Sequence, residues 1–258
     1  MRAKPYSEVV IGGVRIARLT RAAAAQLVAG DCLAARGTAA NPRLMFTANG
    51  HSISRAASDR EYRALVDAAD MVRADGQSVV MASKFTRSPI PERSATTDFI
   101  HDAAAAAQTH GLRFYLLGAS EEINARAAAI LEKSYPGLII AGRRDGYFRR
   151  ADEEAICAAI NAARPDVIWV GLGVPLEQRF AVRNKHRLNA GWLVTCGGCL
   201  NFVAGDYKRA PKWMQETGLE WLHRLARDPQ RLFWRYAISN PHALYLMLTR
   251  SRAVEPAL

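Results

Sequence analysis

Cysteine is scarce in this sequence, and long apolar segments are missing. The four cysteines, Cys32, Cys157, Cys196 and Cys199, are too few and too scattered for the disulfide framework of a small secreted domain, so we expect reduced thiols. The N-terminal segment is charged and is interrupted by Glu8, unlike a signal peptide. No apolar run approaches the roughly 18 residues of a membrane-spanning helix. These absences predict a cytoplasmic protein.

Several catalytic motifs are missing as well. The phosphate loop G-x-x-x-x-G-K-S/T, the zinc protease motif H-E-x-x-H and the serine nucleophile motif G-x-S-x-G do not occur. Asp-x-Asp, the usual pair that chelates a divalent metal on a sugar nucleotide diphosphate, is missing too. An enzyme that needs no metal fits these absences, and no cofactor is predicted.

Acidic residues are outnumbered by basic ones, 24 to 35, and the net charge of +11 predicts an anionic partner. Composition leaves open whether this partner is nucleic acid, an anionic membrane surface or a phosphorylated small substrate. Between residues 208 and 252, nine Lys or Arg stand against three acids, which is +6 of the net charge. The same segment holds three of the five tryptophans. The positive charge is therefore concentrated in an aromatic-bearing tail.

The first 205 residues alternate short apolar runs with amphipathic segments, after a predicted β-hairpin around Gly12 and Gly13. Strands are predicted at residues 44–48, 71–74, 113–118, 138–142, 166–173 and 191–197. Helices are predicted at residues 53–69, 78–85, 97–110, 121–135, 152–163 and 176–188, with Thr97 and Ser120 as N-caps and Gly111 as a stop. This alternation predicts an α/β fold, a mostly parallel sheet with helices on both faces.

The pattern changes near residue 206, where the apolar strands stop. The remaining residues predict two or three short helices, broken by Pro229 and Pro241. We therefore predict a core over residues 1–205 and a basic helical appendage over residues 206–258.

Ligands of open parallel sheets bind beyond the carboxyl ends of the strands, so the residues that follow each apolar run are the site candidates. These candidates are Thr47, Asn49, Asp75, Gly76, Gly118, Gly171, Gly173, Glu177, Gln178 and Asn201. Asp75 could be a general base that takes a proton from an attacking hydroxyl, next to a helix whose N-terminal N–H groups could bind an anion. Asp75-Gly76 could equally be a turn, as Asp145-Gly146 indicates elsewhere.

Three other features have two interpretations each. Gly171 and Gly173 could allow a ligand phosphate to approach the backbone, while Glu177 and Gln178 could contact substrate or only begin a helix. Arg93 could bind a diphosphate bidentately or form a surface ion pair. Cys196 and Cys199 have the Cys-x-x-Cys spacing of redox or metal motifs, but their place after the last strand favours small residues in a tight turn.

Eight segments together carry a resemblance to a known family. They are "TANG" (47–50), "ADMVRADGQSVVMAS" (69–83), "PERSATTDF" (91–99), "FYLLGAS" (114–120), "YPGLIIAGRRDGYF" (135–148), "DVIWVGLGVPLEQRF" (166–180), "GGCLNFVAGDYKRAPKW" (197–213) and "GLEWLHRLARDPQRLFWRY" (218–236). In this order they resemble the WecG/TagA/CpsF family of bacterial glycosyltransferases.

The resemblance implies a Rossmann-like core and inverting transfer of a hexose or N-acetylhexosamine, or its uronate, from a UDP-sugar to a polyprenyl-diphosphate-linked saccharide in surface polysaccharide synthesis. It implies no metal, and a tail that reaches the cytoplasmic membrane face and closes over the active site. It also implies that Asp75 is the base, that Thr47 and Asn49 form the family's Thr-x-Asn, and that Arg93 is its site arginine. A homo-oligomer is left open.

Two departures from the family pattern bear on the site. The family's Pro-x-Gln-Glu is here Pro175-Leu176-Glu177-Gln178, so the amide and the carboxylate exchange places. On a helix this exchange moves the amide by about 100° around the axis, which leaves open which side chain faces inward. The segment after Arg93 lacks the family's glycine, so this chain departs from the family pattern in the loop on the acceptor side.

Tail arginines are the remaining candidates for binding. Arg224, Arg227, Arg231 and Arg235 recur at helical spacing and could meet lipid phosphates or the UDP diphosphate, or could simply be solvated. Two alternative functions stay open at this point. A nucleic-acid-binding protein would explain the charge, although no nucleic-acid-reading motif occurs, and an NAD(P)-dependent oxidoreductase could share the fold.

Overall fold

The computed structural model describes residues 4–254. Its strands are β1 (Glu8–Ile11), β2 (Val14–Ala17), β3 (Arg43–Ala48), β4 (Met71–Ala74), β5 (Arg113–Gly118), β6 (Ile139–Arg144), β7 (Val167–Gly171), β8 (Trp192–Thr195) and β9 (Arg252–Ala253). Its helices are α1 (Arg21–Ala35), α2 (Gly50–Ser58), α3 (Arg60–Asp67), α4 (Gln77–Ser83), α5 (Thr96–His110), α6 (Glu121–Ser134), α7 (Glu153–Ala163), α8 (Leu176–Asn184), α9 (Cys199–Val203), α10 (Lys212–Glu216), α11 (Glu220–Arg227) and α12 (Pro229–Thr249).

Six strands form one parallel sheet in the order β4-β3-β8-β7-β5-β6. Successive side chains of a strand point to opposite faces, and β7 illustrates this alternation. Trp169 joins a core cluster with residues of α1, α5 and α6, whereas Ile168 and Val170 join a cluster with residues of α7 and α8. Because both faces bury apolar side chains, the predicted α/β fold with helices on both faces is confirmed.

A second, smaller sheet contains the predicted hairpin. Strands β1 and β2 pair antiparallel around Gly12 and Gly13, and the short strand β9 pairs with the other edge of β1. In this pairing Val9 lies opposite Ala253, so the end of the tail returns to the start of the chain. The sequence predicted the hairpin but not its third strand.

Two predicted helices differ from the structure, and one observed helix was not predicted. The single helix predicted over residues 53–69 is two helices, because Asp59 separates them and its carboxylate caps α3 by accepting a hydrogen bond from Tyr62 N. Thr97 does not cap α5, which begins at Thr96 with Ala95 as its N-cap. The alanine-rich helix α1 was not predicted at all. The predicted stop at Gly111, in a left-handed conformation, and the cap at Ser120 are confirmed.

The tail is helical, but Pro241 does not break it. Pro229 begins α12, where the first N–H groups have no partner within the helix, so the missing N–H of proline costs no hydrogen bond. Pro241 lies inside the same helix. One face of α12 packs against α2 and the small sheet through Ala243, Leu246 and Met247. Among the described helices, none combines the length and apolarity needed to cross a membrane. The division of the chain at residue 206 stays a prediction.

Candidate active site

A cleft lies at the carboxyl ends of β3 and β4, and the tail covers it. The core lines it with Asn49, Gly50, His51, Asp75, Gly76, Gln77, Ser78 and Arg93, and the tail with Gln215, Gly218, Glu220, Trp221, Arg224, Arg235, Tyr236 and Asn240. Except for Arg93, these core residues come directly after two adjacent parallel strands, where such sheets bind ligands. The structure therefore brings together Asn49, Asp75, Gly76, Arg93, Arg224 and Arg235 of the predicted site.

Asp75 is held by its backbone, and its half-buried side chain lines the cleft. Its N–H donates to Ala48 O at 2.9 Å, which continues the pairing of β4 with β3. Its Oδ1 accepts from Thr96 N at 3.0 Å, and its Oδ2 accepts from Asn49 Nδ2 at a long 3.4 Å. A carboxylate has about four acceptor positions, so two donors leave capacity for a substrate hydroxyl.

Asn49 is positioned by the helix that it caps. Its Oδ1 accepts from Ser52 N at 3.1 Å, and its own N–H donates to Ser52 Oγ at 2.8 Å, so the two residues form a capping box. The side-chain amide is thereby fixed with Nδ2 toward Asp75. A Cβ atom on Gly76 would lie 3.0 Å from Asn49 Cβ, so glycine allows the two strand ends to approach closely.

Arg93 connects the core to the tail. Its Nε donates to the backbone oxygen of Asp75 at 2.6 Å, and its Nη2 donates to Glu220 Oε2 at 2.8 Å. Glu220 also accepts from Arg224 at 2.8 Å. Burial raises the pKa of Glu220, but Arg224 and Arg93 more than offset this and hold the pKa below its ordinary value. One buried carboxylate thus gathers two guanidinium groups at the cleft.

Sequence reasoning missed Glu220 and His51. Glu220 belongs to the Glu-Trp-Leu motif of the tail, which was a family signal without an assigned role. His51 lies two residues after Asn49, and its Nδ1 is buried without a hydrogen-bond partner among the described residues. Burial, followed by the charges of Arg235 and Arg55, lowers the pKa of His51 to about 4. At neutral pH it is an uncharged group that can bond a ligand hydroxyl.

Two of the predicted glycines lie where strand ends pack closely, and their role in ligand binding stays a prediction. A Cβ atom on Gly118 would lie 2.4 Å from Gly171 O, and one on Gly171 would lie 2.7 Å from Gly197 O. These glycines therefore allow three strand ends to pack against one another. Gly173 has no neighbour of this kind within 4 Å among the described residues. Thr47 lies on β3 and pairs with Arg73 of β4. It is not among the described residues that line the cleft.

Glu177 and Gln178 are both turned inward, 3% and 2% exposed. Glu177 Oε2 accepts from Gly173 N at 3.1 Å and from Gly197 N at 2.8 Å, and so ties together the loops after β7 and β8. Burial raises the pKa of Glu177 to about 7, even though these hydrogen bonds oppose the shift. Within the described part of the chain neither residue lines the cleft, and their roles in binding stay predictions.

The turn after β8 contains no reactive thiol. Cys196 and Cys199 are buried and not in a disulfide, and burial raises the pKa of both thiols, so they stay protonated. Buried, protonated thiols agree with the interpretation of Cys196 and Cys199 as small residues in a tight turn. Asn201 is not among the described residues that line the cleft. Its Nδ2 donates to Asp206 Oδ2 at 3.2 Å and closes the turn into the tail.

The tail arginines do not share one helix face, because they belong to two helices. Arg224 lies on α11 and Arg235 on α12, yet both reach the cleft. The guanidinium carbon of Arg224 also lies 5.4 Å from the ring centre of Phe202. Arg227 is not among the described residues that line the cleft. The side chain of Arg231 lies outside the described part of the structure.

Comparisons with known proteins agree with this geometry. The model of the glycosyl transferase WecG/TagA/CpsF family matches residues 9–255. The N-acetylglucosaminyldiphosphoundecaprenol N-acetyl-beta-D-mannosaminyltransferase of Bacillus spizizenii is 31% identical over 209 residues, which cover 81% of this chain and 80% of the relative. The enzyme of the same name from Bacillus subtilis is 30% identical over 77% of this chain and 76% of its own length. One from Staphylococcus aureus is 28% identical over 74% and 75%.

The family match covers nearly the whole chain, and the relatives match most of their own length. The resemblance drawn from the eight sequence segments is thereby confirmed. This chain belongs to the WecG/TagA/CpsF family and is a glycosyltransferase.

Proposed function

We propose that this enzyme transfers an N-acetylhexosamine or related hexose from a UDP-sugar to a polyprenyl-diphosphate-linked saccharide, with inversion at the anomeric carbon. The name of the relatives describes an N-acetyl-beta-D-mannosaminyltransferase acting on N-acetylglucosaminyldiphosphoundecaprenol. The observation that carries the proposal is the cleft itself. It combines an accessible carboxylate, Asp75, with the guanidinium groups of Arg93, Arg224 and Arg235.

In the proposed reaction, Asp75 accepts the proton of an acceptor hydroxyl while the hydroxyl oxygen attacks the anomeric carbon of the donor. The bond from that carbon to the β-phosphate oxygen breaks, and its electron pair leaves with UDP. A single displacement of this kind inverts the anomeric configuration. Asn49 orients the Asp75 carboxylate through Nδ2. Arginines at the cleft stabilise the charge that develops on the departing diphosphate.

We also propose that the enzyme binds the cytoplasmic face of the membrane, where a lipid-linked acceptor would be held. Trp234, Ile238, Tyr245 and Leu248 are between 61% and 70% exposed, and their spacing puts them on one face of α12. The opposite face packs on the core. An exposed apolar stripe on a basic tail has the composition of helices that lie in a membrane interface.

The reaction is tested with a panel of UDP-N-acetylhexosamines and UDP-hexoses against short-chain polyprenyl diphosphate saccharides. We expect transfer from one donor class, with NMR showing an anomeric configuration opposite to that of the donor. A retained configuration would contradict single displacement. No transfer, together with a melting temperature raised by NAD(P) and not by UDP, would favour an oxidoreductase. Salt-dependent DNA binding without UDP affinity would favour a nucleic-acid-binding protein.

Membrane binding is tested by co-sedimentation with liposomes that contain phosphatidylglycerol. We expect the double variant Trp234→Ser/Ile238→Ser to bind at least about fivefold less, because two large apolar side chains no longer enter the interface. Tyr147→Ser is the matched control, since Tyr147 is 82% exposed but lies outside the tail. Equal sedimentation of the double variant and the wild type would contradict membrane contact through α12.

A further inference from the structure

Glu220, the first residue of α11, is a buried carboxylate that belongs to the tail. Only 7% of its surface is exposed, and it lines the cleft together with residues of the core. Burying a charge costs much free energy unless partners compensate it. Two arginines compensate this charge, and both of them line the same cleft. The buried carboxylate is therefore part of the wall of the proposed active site.

Each carboxylate oxygen of Glu220 holds one guanidinium group. Its Oε2 accepts from Arg93 Nη2 at 2.8 Å, and its Oε1 accepts from Arg224 Nη2 at 2.8 Å. Arg224 lies one helical turn further along α11, at the spacing that lets Glu and Arg side chains meet. Arg93 comes from the core, in the segment between α4 and α5. One carboxylate therefore holds together two cations that would otherwise repel each other.

Arg93 is held at a second point, next to the proposed base. Its Nε donates to Asp75 O at 2.6 Å. The bonds to Asp75 and Glu220 use N–H groups of Nε and Nη2, two of the five that a guanidinium has. The edge formed by Nη1 and Nη2 has the fork geometry that binds a phosphate bidentately. Within the described part of the chain, the two bonds thus fix the plane of this guanidinium and leave its outer edge for a ligand.

The tail is attached to the core on both sides of Glu220. Before α11, Arg209 Nη1 donates to Asp98 Oδ1 at 2.5 Å. After α11, the buried face of α12 packs on α2 and the small sheet. Apolar contacts can replace a buried ion pair without loss of stability, so docking of the tail alone would not require one. A role in the cleft explains why a charged residue occupies this position.

We propose that Glu220 is a positioning residue for the leaving group: its carboxylate orients the guanidinium groups of Arg93 and Arg224 so that both donate to the diphosphate of the nucleotide. The proposal rests on the proposed function, in which these arginines stabilise the departing UDP. Glu220 offsets one of the two positive charges, so the arginines stay in place before the nucleotide binds. A site that is ordered in advance loses less free energy on binding its ligand. Glu220 thus raises nucleotide affinity through the two arginines.

The test is the dissociation constant of UDP for the 258-residue protein, measured by isothermal titration calorimetry. We expect Glu220→Gln to raise it at least about tenfold, because the amide has one acceptor oxygen and no charge. Glu220→Asp keeps the charge but is one methylene shorter, and it should raise the constant at least about threefold because it cannot bond both arginines. Asp166→Asn is the matched control. It removes a buried carboxylate that is bonded to Arg36 at the amino edge of the sheet, and it should leave the UDP dissociation constant unchanged.

A double-mutant cycle measures whether Glu220 acts through its arginines. In an Arg224→Gln background, the loss of UDP affinity caused by Glu220→Gln should be smaller than in the wild type by a factor of about three or more. The reason is that one of the two guanidinium groups that Glu220 orients is then missing. Equal losses in both backgrounds would overturn the proposal, since effects that do not pass through a shared partner are additive.

A Glu220→Gln variant that folds and binds UDP as tightly as the wild type would also overturn the proposal. If Glu220→Gln does not fold, Glu220→Asp takes its place in the cycle: unchanged UDP affinity would count against the proposal, and a loss that shrinks in the Arg224→Gln background would support it. A wild-type protein without UDP affinity removes the proposed function itself. A wild type that binds UDP, with Glu220 variants that bind it equally well, removes only the role of Glu220.

Discussion

The two edges of the parallel sheet each carry a buried or half-buried aspartate, and they differ in how completely it is bonded. At the amino edge, Asp166 accepts from Arg36 at 2.8 and 3.0 Å and from Arg113 N at 2.8 Å. At the carboxyl edge, Asp75 accepts from one backbone N–H and one distant amide. The cavity beside Asp166 has a volume of about 760 Å³, and the cleft at Asp75 is much smaller.

The larger cavity therefore lies at the edge where the aspartate is fully bonded, and the open bonding capacity lies at the carboxyl edge, where the proposed site is. The arginines near Asp166 are committed to the ends of neighbouring helices: Arg36 also donates to Gly111 O, and Arg113 also donates to Arg164 O and Ala163 O. At the carboxyl edge, buried polar atoms such as His51 Nδ1 and Gln178 Oε1 have no partner among the described residues. A ligand is the partner that such atoms can acquire.

Exchanging each aspartate for asparagine should separate chemistry from stability. We expect Asp75→Asn to lower kcat/KM by about 10³-fold, because general bases typically contribute 10²–10⁴, with little change in unfolding free energy. Asp166→Asn should instead lower the unfolding free energy by about 1–3 kcal/mol, since it weakens a partly exposed ion pair. Initial rates and urea unfolding of both variants measure this. The reverse pattern would mean that the amino edge carries the chemistry.

Much of this comparison could be predicted from the sequence, because strand ends are local features. The run "MVRADG" places Asp75 after a buried strand, and parallel strands bring Asn49 to the same edge. The contribution of Glu220 could not be predicted in this way, since it meets Arg93 across 127 positions of sequence. Helix α1 was missed because small alanine side chains give little contrast between a buried and an exposed face. Pro241 was misjudged because α12 is stabilised by its packing on the core.

A smaller effect concerns the carboxyl that ties the loops at the carboxyl edge. The folded pKa of Glu177 is about 7 and the ordinary value is 4.5, so the folded state holds its proton more tightly. Stability from this group is present below pH 4.5 and is lost as the pH rises through 7. We expect Glu177→Gln, which cannot ionise, to raise the unfolding free energy by about 2 kcal/mol at pH 8 and hardly at pH 4. Urea unfolding across this range measures the difference.

Glu153 is the matched control, because it is also a buried glutamate but is paired with Arg183 and Asn184. Burial raises its pKa, and these partners more than offset that, so the folded pKa lies below the ordinary value. Its stability is therefore present above the ordinary pKa and is lost as the pH falls. Glu153→Gln should destabilise the protein at pH 7, opposite in sign to Glu177→Gln. A Glu177→Gln effect that did not vary with pH would show that ionisation is not its cause.

The smallest expected effect distinguishes the edges by their histidines. His51 at the carboxyl edge has a folded pKa of about 4 against an ordinary 6.5, so protons bind the unfolded state first and stability falls as the pH drops between these values. His51→Gln should remove this slope. Relative to the wild type, we expect the variant to gain about 1 kcal/mol more unfolding free energy at pH 5 than at pH 8, a value reduced for the partial exposure of the ring. His186→Gln, at an exposed position of the amino edge, is the matched control. Parallel slopes for His51→Gln and the wild type would mean that His51 has the same pKa in the folded and unfolded states, and that burial does not hold its ring neutral at pH 5.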